Sequence, residues 1–245
     1  APEQDRYFGM SVAIDGDTIV VSSETAYTES EVYIFTRNGQ DWVTTTPTVT
    51  PLLAQFHRSL RREINVAIQN DTIIVGSPYI IGQVLVYQKN GSDWSTVTPT
   101  QTVLTASDGT RGDNFGTAVD IDGDKIIVGA DENENRGAAY IYQKGASGWD
   151  SATETKLTGS DLQDGDYFGS SVAIEGDVAV VGSPYGGKQD LGAVYIYNGK
   201  NSWSNPLETK LNPVESILPY TGRFGKYIDI DGQTLVIGTT ASLPG

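Results

Sequence analysis

The chain has 245 residues, with 31 acidic side chains against 16 basic ones and a formal net charge of -15. This balance argues against a general binder of nucleic acid or of anionic membranes, because both need a basic protein face. The sequence contains no cysteine, which excludes a disulfide framework and thiol chemistry. It also contains no apolar run of the ~18 residues that a membrane-inserting helix needs, so no membrane insertion is predicted.

The sequence repeats a unit of about 54 residues. In the first unit, an apolar run at residues 12–14 precedes Asp15-Gly16, and a second apolar run follows at residues 18–21. The corresponding first runs of the later units begin at Val66, Val119, Val172 and Ile228. A fixed period of this size indicates one supersecondary unit that is copied along the chain.

Each complete unit predicts four strands. The first two form a hairpin across a tight turn, placed at Asp15-Gly16 in the first unit because both residue types tolerate the backbone that such turns need. An aromatic third strand follows, as at residues 138–142, and then a tryptophan and a polar fourth strand. Four strands with partly apolar faces suit a sheet that packs between two neighbouring sheets. The prediction is an all-β protein, a β-propeller of four-stranded antiparallel blades with four complete blades and a partial fifth.

Two short motifs recur at fixed places in the units. Phe-Gly precedes the first strand at residues 8–9, 115–116, 168–169 and 224–225, and Gly-Ser-Pro follows the second strand at residues 76–78 and 182–184. This pattern resembles the FG-GAP repeat of integrin α-subunit propellers and of many secreted proteins. The resemblance implies a single FG-GAP-type propeller domain over residues 1–245, with repeats starting near residues 5, 56, 113, 166 and 222. It leaves the function open, because propellers of this kind bind, adhere or catalyse.

The chain departs from the family pattern in two places. Many integrin blades carry a long Asp-rich calcium loop between their first two strands, but all the corresponding segments here are tight turns. The family's usual calcium sites are therefore not transferred. In the second repeat, residues 56–62 replace the Phe-Gly motif, so this blade is expected to be degenerate.

The fifth unit stops after its second strand, and an open blade exposes unpaired strand edges. Three explanations remain: the chain is a fragment of a longer propeller, it assembles with another copy, or it closes as a small ring.

Acidic loops before the Phe-Gly motifs are the candidate metal sites. The predicted calcium ligands are Asp161, Asp164 and Asp166, because calcium prefers clustered oxygen ligands in a flexible loop. Residues 108–113 and 131–135 form two further acidic loops. The alternative is a set of solvated turns, in which Asp, Asn and Gly are common for backbone reasons. Asp113 and Asp166 also fill the same position of the repeat, so a structural hydrogen bond is an alternative explanation for both.

The predicted ligand-binding residues are Arg58, Arg61 and Arg62, which form a basic cluster with His57 in this acidic chain. An arginine fork suits a carboxylate or sulfate of a glycan, and neutralisation of acids across a blade interface is the alternative. Arg111-Gly112-Asp113 spells a tripeptide that integrins recognise. Because Gly112 and Asp113 belong to the repeat, we interpret the tripeptide as a coincidence.

Nucleophilic catalysis has little support, since the chain has one histidine, no cysteine and no Gly-x-Ser-x-Gly elbow. The sequence favours a secreted or cell-surface recognition and adhesion module, which binds a glycan or protein through propeller loops. The first alternative is a self-assembling structural module whose open blade is completed by another chain. The second is a carbohydrate-active enzyme that uses a carboxylate pair, for which no catalytic residues are assigned.

Overall fold

A computed structural model describes residues 6–25, 31–38, 41–44, 64–89, 94, 100–187, 191–213 and 222–240. These residues form an all-β protein with four four-stranded antiparallel sheets and one two-stranded sheet. The same ranges contain no α-helix, and a short 3-10 helix covers Asn133–Asn135. Within this part of the chain, no helix has the length and apolar character to cross a membrane.

Each sheet is built from strands that are consecutive in the chain. Sheet 1 contains β1 (Arg6–Asp15), β2 (Thr18–Thr25), β3 (Glu31–Asn38) and β4 (Asp41–Thr44). Sheet 2 contains β5 (Asn65–Gln69), β6 (Thr72–Ser77), β7 (Gln83–Gln88) and β8 (Thr100–Leu104). Sheet 3 contains β9 (Phe115–Asp122), β10 (Lys125–Ala130), β11 (Ala138–Gly145) and β12 (Gly148–Leu157). Sheet 4 contains β13 (Ser171–Glu175), β14 (Val178–Ser183), β15 (Ala193–Asn198) and β16 (Leu207–Leu211), and sheet 5 contains β17 (Tyr227–Asp231) and β18 (Thr234–Gly238).

The hairpin turns lie one residue later than the sequence predicted. Asp15 still pairs with Thr18, so the two-residue loop is Gly16-Asp17 rather than Asp15-Gly16. The left-handed φ of 53° falls on Gly16, and the equivalent Asn70 has a φ of 51°. Glycine and asparagine adopt this conformation with little strain, which explains why asparagine can replace the glycine of the other repeats there.

Apolar cores lie between consecutive sheets. Between sheets 1 and 2, Val20 and Ile34 pack in one cluster with Ile68 and Leu85. Two further clusters join sheets 2 and 3 and sheets 3 and 4 in the same way. Strands of the middle sheets are thus covered on both faces. Their sequences are therefore continuous apolar runs rather than alternations of apolar and polar residues. Burying each such side chain stabilises the fold by about 1.5–3 kcal/mol.

The Phe-Gly motif anchors one sheet on the sheet before it. Phe115 and Phe168 are completely buried. Phe115 forms a parallel bridge to Gly82 just before β7 of sheet 2, and Phe168 bridges Gly137 just before β11 in the same way. The phenylalanine ring then packs edge-on against the third strand of its own sheet, as Phe168 does against Tyr195 at 5.2 Å between centroids.

The two recurrent motifs are halves of one joint between sheets. A Cβ added to Gly129 at the end of β10 would lie 1.9 Å from the carbonyl oxygen of Gly169, in the next Phe-Gly. The same backbone approach joins Gly76 to Gly116 and Gly182 to Gly225. We call this contact the glycine joint. It requires glycine because the facing backbone leaves no room for a side chain.

Between the first two repeats, both sequence positions that form the glycine joint elsewhere carry other residues. Ser22 pairs with Val32 as Gly76 pairs with Val84, so serine occupies the receiving position in sheet 1. The second repeat, which would supply the Phe-Gly half, carries Arg62-Glu63 instead. The degeneracy expected of the second repeat therefore has a matching change in the first.

Candidate functional site

The first strands of all five sheets line one cavity of about 670 Å³. Each strand contributes the residue at the same position of the repeat: Ser11, Asn65, Ala118, Ser171 and Tyr227. Consecutive first strands also pack side by side, from β1 to β5, β9, β13 and β17. The five sheets therefore face a common axis, and we call this space the axial cavity. Its volume lies in the range of about 300–1,000 Å³ that is typical of small-ligand sites.

Loops from one end of the sheets complete the wall of the axial cavity. Pro78 and Asp131 follow second strands, whereas Asn114, Ser170 and Lys226 flank the Phe-Gly motifs. The glycine joint thus brings the loops that follow second strands and the loops that flank the Phe-Gly motifs to the same end of the sheets. The wall that results carries hydroxyl, amide, carboxylate and ammonium groups, which suit a polar ligand.

A hydrogen-bonded set of three side chains lies in this wall. Asn114 Nδ2 donates to Asp131 Oδ1 at 2.9 Å, and Ser170 Oγ donates to Asp131 Oδ2 at 3.2 Å. Asn114 is 4% exposed, yet its Oδ1 accepts no hydrogen bond within the described structure. An unsatisfied buried oxygen costs about 1–3 kcal/mol, so this atom is ready to accept a donor from a bound molecule.

Sequence reasoning did not single out Asn114. It stands directly before Phe115-Gly116 and has a φ of 60°, and Tyr167 at the equivalent position has a φ of 53°. In sheets 3 and 4, the residue before Phe-Gly is therefore held in a left-handed conformation. An asparagine next to this recurrent turn was the available indication, because asparagine tolerates that conformation.

Aromatic and cationic side chains form a second cluster on loops of sheets 4 and 5. The rings of Tyr167 and Tyr185 lie 5.1 Å apart, and the guanidinium of Arg223 lies 4.5 Å from the Tyr185 ring centroid. Arg223 is exposed and both tyrosines are half-buried. Such a cluster offers both an aromatic surface and a positive charge to a ligand.

The three predicted calcium ligands accept hydrogen bonds from four different protein donors. Asp161 accepts hydrogen bonds from Tyr195 Oη and Lys210 Nζ, both at 2.7 Å. Asp164 accepts from Arg136 Nε at 2.9 Å, and Asp166 accepts from the Gln163 amide at 2.9 Å. Across the described ranges, no group of three or more His, Cys, Asp or Glu side chains is placed to hold a metal ion. Calcium binding by Asp161, Asp164 and Asp166 stays a prediction.

Asp161 and its counterpart Asp108 each hold the loop between two consecutive sheets against the later sheet of the pair. Asp108 accepts from Tyr140 Oη at 2.7 Å and from Lys156 Nζ at 2.6 Å, which repeats the Asp161 arrangement one sheet earlier. Hydrogen bonds from Lys210 and Tyr195 hold the pKa of Asp161 below its usual value. These contacts give the acidic loops a structural role.

Asp161→Ala is expected to lower the free energy of unfolding by about 1 kcal/mol, because it removes the acceptor of Tyr195 and Lys210. Urea denaturation followed by circular dichroism measures the change. Asp164→Ala is the control, since it removes an exposed pair with Arg136 and should cost less than about 0.5 kcal/mol. Equal losses in the two variants would contradict the fastening role.

The structure describes only some of the other residues that the sequence singled out. Arg58, Arg61 and Arg62 lie outside the described residues, so their role in ligand binding stays a prediction. By chain position, Arg61 corresponds to Asn114, which lines the axial cavity.

Asp113 is 5% exposed and accepts from the Thr110 amide at 2.7 Å and from Asn133 Nδ2 at 2.8 Å. Its carboxylate is thus not presented to a receptor, in agreement with the interpretation of Arg111-Gly112-Asp113 as a coincidence.

Asp120 in β9 links sheet 3 to sheet 4, and its pKa is raised above the usual value. Its two carboxylate oxygens accept from the amides of Ile121 and Ile174, both at 2.8 Å. Burial raises the pKa of Asp120 to about 6, although both amides act in the opposite direction. The equivalent residues of sheets 2 and 4 are Ala67 and Ala173.

Stability is expected to rise by about 1 kcal/mol between pH 7 and pH 5 because of Asp120. The folded pKa of about 6 exceeds the unfolded value, so folding favours the protonated acid, and this contribution is lost as the pH rises through 6. Urea denaturation at both pH values measures the difference. Asp120→Ala, which introduces the residue of the neighbouring repeats, should remove it, and an unchanged pH dependence would contradict the assignment.

Comparison with known proteins identifies a family and finds resemblances among solved structures. A family model described as FG-GAP repeat matches residues 2–35, 99–142 and 152–197, which together cover half of the chain. The degenerate second Phe-Gly position lies outside these matches. No curated protein has a significant match to the sequence. The crystal structure of the computationally designed Ika4 protein resembles the chain with a TM-score of 0.44 and 12% identity, over 81% of this chain and 93% of that chain.

Proposed function

Since the chain belongs to the FG-GAP repeat family, we propose that it is a β-propeller recognition module that binds a polar ligand in the axial cavity. In this proposal, sheets 1–4 are complete blades and sheet 5 is the start of a fifth. The module is secreted or displayed at the cell surface, and its ligand is a glycan or a loop of another protein.

Asn114 carries the proposal. Its buried Oδ1 lacks a hydrogen-bond donor, while its Nδ2 is held by Asp131 and so fixes the orientation of the amide. A ligand hydroxyl or amide that donates to this oxygen removes an existing cost, once the wall shifts enough to expose the buried atom. Glycan hydroxyl groups supply such donors at many positions, which favours a glycan over an apolar ligand.

The basic cluster of the sequence favours an acidic glycan. The described wall carries one cation, Lys226, and one anion, Asp131, so its own charges balance. Arg58, Arg61 and Arg62 directly precede the segment that contains Asn65, another residue of the wall. In this proposal the three arginines add positive charge next to the wall, and such charge favours a carboxylate or sulfate group. Tyr185, with Arg223 against its ring, offers a surface on which a sugar ring can stack.

A glycan array with neutral, sialylated and sulfated oligosaccharides tests the proposal. We expect binding of acidic members that weakens at high salt, because exposed charges are screened. The variant with Arg58, Arg61 and Arg62 all replaced by Ala should lose this binding while its melting temperature stays unchanged. Arg37→Ala, which removes an exposed arginine paired with Asp17 in sheet 1, is the matched control. Undiminished binding by the triple variant would contradict a role for the arginine cluster.

Asn114→Gly is expected to weaken binding of the best array ligand about 10-fold, the effect of losing one hydrogen bond of about 1.4 kcal/mol. Glycine tolerates the left-handed φ of this position, so the backbone is preserved. Titration calorimetry measures the affinity. Arg37→Ala, whose side chain is not part of the wall of the axial cavity, serves again as the control, and equal affinities of wild type and Asn114→Gly would exclude contact with this amide.

The calcium prediction has its own test in thermal melting. An ion held by Asp161, Asp164 and Asp166 would make the melting temperature fall in the presence of a chelator. Asp164→Ala should then remove that sensitivity. A wild-type melting temperature that is indifferent to the chelator would contradict a stabilising ion in this loop.

The two alternative functions differ from a binder in simple observations. A carbohydrate-active enzyme would hydrolyse the array ligand, whereas a binder returns it unchanged. A self-assembling module would show a mass above that of one chain in light scattering, whereas a monomeric binder would not.

A further inference from the structure

The loop between β6 and β7 places two neighbouring isoleucines on the surface of sheet 2. Ile80 and Ile81 are 44% and 48% exposed. Sheet 2 packs between sheets 1 and 3, so this loop belongs to a sheet that is covered on both faces. Pro78 of the same loop lines the axial cavity, which places the two isoleucines at the end of the sheets whose loops complete the cavity wall.

Ile80 holds a backbone conformation that isoleucine rarely adopts. Its φ is 60°, and Asn135 in the corresponding loop of sheet 3 has a φ of 63°. In both loops the carbonyl of this residue accepts from a glycine amide in the loop that leads to the next sheet. Ile80 accepts from Gly112 at 2.8 Å, and Asn135 accepts from Gly165 at 2.7 Å. The conformation therefore belongs to the repeat, and asparagine adopts it with less strain than a β-branched side chain.

The side chains next to this hydrogen bond form an ion pair in one repeat and not in the other. Between sheets 3 and 4, Arg136 Nε lies 2.9 Å from Asp164 Oδ1. One repeat earlier, the corresponding residues are Ile81 and Arg111. Arg111 is exposed, and among the described residues no carboxylate forms an ion pair with it. Apolar side chains thus lie beside an unpaired positive charge.

The two acidic residues in the loop of Arg111 are bound by other groups. Asp108 accepts from Tyr140 Oη and from Lys156 Nζ. Asp113 is buried. The charge of Arg111 is therefore available to a carboxylate from outside the chain.

We propose that Ile80, Ile81 and Arg111 form a docking surface for an acidic segment of a partner protein. An apolar side chain of the segment packs on the two isoleucines, and a carboxylate of the segment pairs with Arg111 as Asp164 pairs with Arg136. The partner is acidic because it supplies the charge that the neighbouring repeat provides from its own chain, and an arginine fork suits a carboxylate. The hydrogen bond from Gly112 to Ile80 fixes the two loops before binding, which lowers the entropy cost of docking. The docking surface is separate from the axial cavity, and the proposal does not depend on ligand binding there.

Selection of phage-displayed random short peptides on the wild-type chain tests the chemistry of the partner. We expect the selected peptides to combine Asp or Glu with a neighbouring aliphatic or aromatic residue. The net charge of -15 favours basic peptides by general attraction, so selection of acidic ones is a result that the overall charge opposes. Selection of basic peptides alone, or of no peptide, would overturn the proposal.

Sheet 3 supplies the variant that removes the docking surface and keeps the loop conformation. Ile80→Asn, Ile81→Arg and Arg111→Asp together introduce the residues of the neighbouring repeat. We expect this triple variant to bind the selected peptide at least about 10-fold more weakly in titration calorimetry. Its melting temperature should equal or exceed that of the wild type, because asparagine relieves the strain at this position. Unchanged peptide affinity would overturn the proposal, and so would a lower melting temperature, which would assign the isoleucines to the fold.

Three controls separate the docking surface from other exposed residues. Leu207→Ser removes an apolar side chain that is 73% exposed on β16, and Arg136→Ala removes an exposed arginine that is already paired. Both variants should bind the peptide like the wild type. Asn114→Gly, which changes the axial cavity, should also keep peptide binding. An equal loss in Asn114→Gly and the triple variant would place the peptide in the axial cavity and would overturn a separate docking surface.

Discussion

Gly129→Val is expected to prevent the chain from folding. A Cβ at this position lies 1.9 Å from the carbonyl oxygen of Gly169, and the obstructing atom is backbone that cannot move aside without separating sheets 3 and 4. The loss should exceed about 3 kcal/mol, a large part of the 5–15 kcal/mol by which domains are stable. Circular dichroism and urea denaturation of the purified variant measure the loss, with Gly129→Ala as a milder version.

Gly176→Asn is the matched control for the glycine joint. Gly176 has a φ of 56°, and nothing lies within 4 Å of its Cβ position, so only the left-handed conformation restricts the residue there. Asparagine already occupies the equivalent position at Asn70, and the change should alter the free energy of unfolding by less than about 0.5 kcal/mol. If Gly129→Val were as stable as this control, the backbones of sheets 3 and 4 would not meet as described.

Phe168→Ala is expected to lower the free energy of unfolding by about 3–5 kcal/mol. Phe168 is fully buried, and its ring contacts those of Tyr195 and Tyr197 at centroid distances of 5.2 and 6.3 Å. Removal of the ring leaves a cavity beside the third strand of sheet 4. The backbone bridge between residue 168 and Gly137 holds the loop in place, so the cavity does not collapse. Chemical denaturation measures the difference.

Phe8→Ala provides the control for the phenylalanine, because Phe8 occupies the same position of the repeat but is 57% exposed. It should cost less than about 1 kcal/mol. Equal losses at Phe8 and Phe168 would show that burial against the preceding sheet is not what the motif contributes.

The strands were predictable because their determinants are local. Apolar runs on each side of a short polar turn define the first hairpin of every unit, and the fixed period carries that assignment along the chain. The turn itself was placed one residue early, at Asp15-Gly16. A two-residue turn accepts Asp and Gly in either order of positions, and only the pairing of Asp15 with Thr18 distinguishes the two registers.

The glycine joint and the axial cavity were not predictable from the sequence. Both motifs of the joint were visible, but their direct backbone contact, as between Gly129 and Gly169, depends on how two sheets stack. The axial cavity likewise arises only when five equivalent positions converge on one axis. The unsatisfied oxygen of Asn114 follows from packing and has no counterpart in residue type.

The role of the acidic loops was also not predictable from the sequence. Their composition was compatible with calcium or with ordinary turns, and the sequence could not separate the two. The partners of Asp161 are Tyr195 and Lys210, which lie in a later sheet and are brought to the carboxylate only by folding. The recurrence of the same contacts at Asp108 shows that they belong to the repeat.

A crystal structure of the chain with its tightest-binding array glycan tests most directly whether the axial cavity is the binding site. We expect the glycan between the first strands of the sheets, with a hydroxyl group donating to Asn114 Oδ1 and an acidic group near Lys226. A glycan bound on the outer strands β4, β8, β12 or β16, with the axial cavity free of it, would contradict the proposed site.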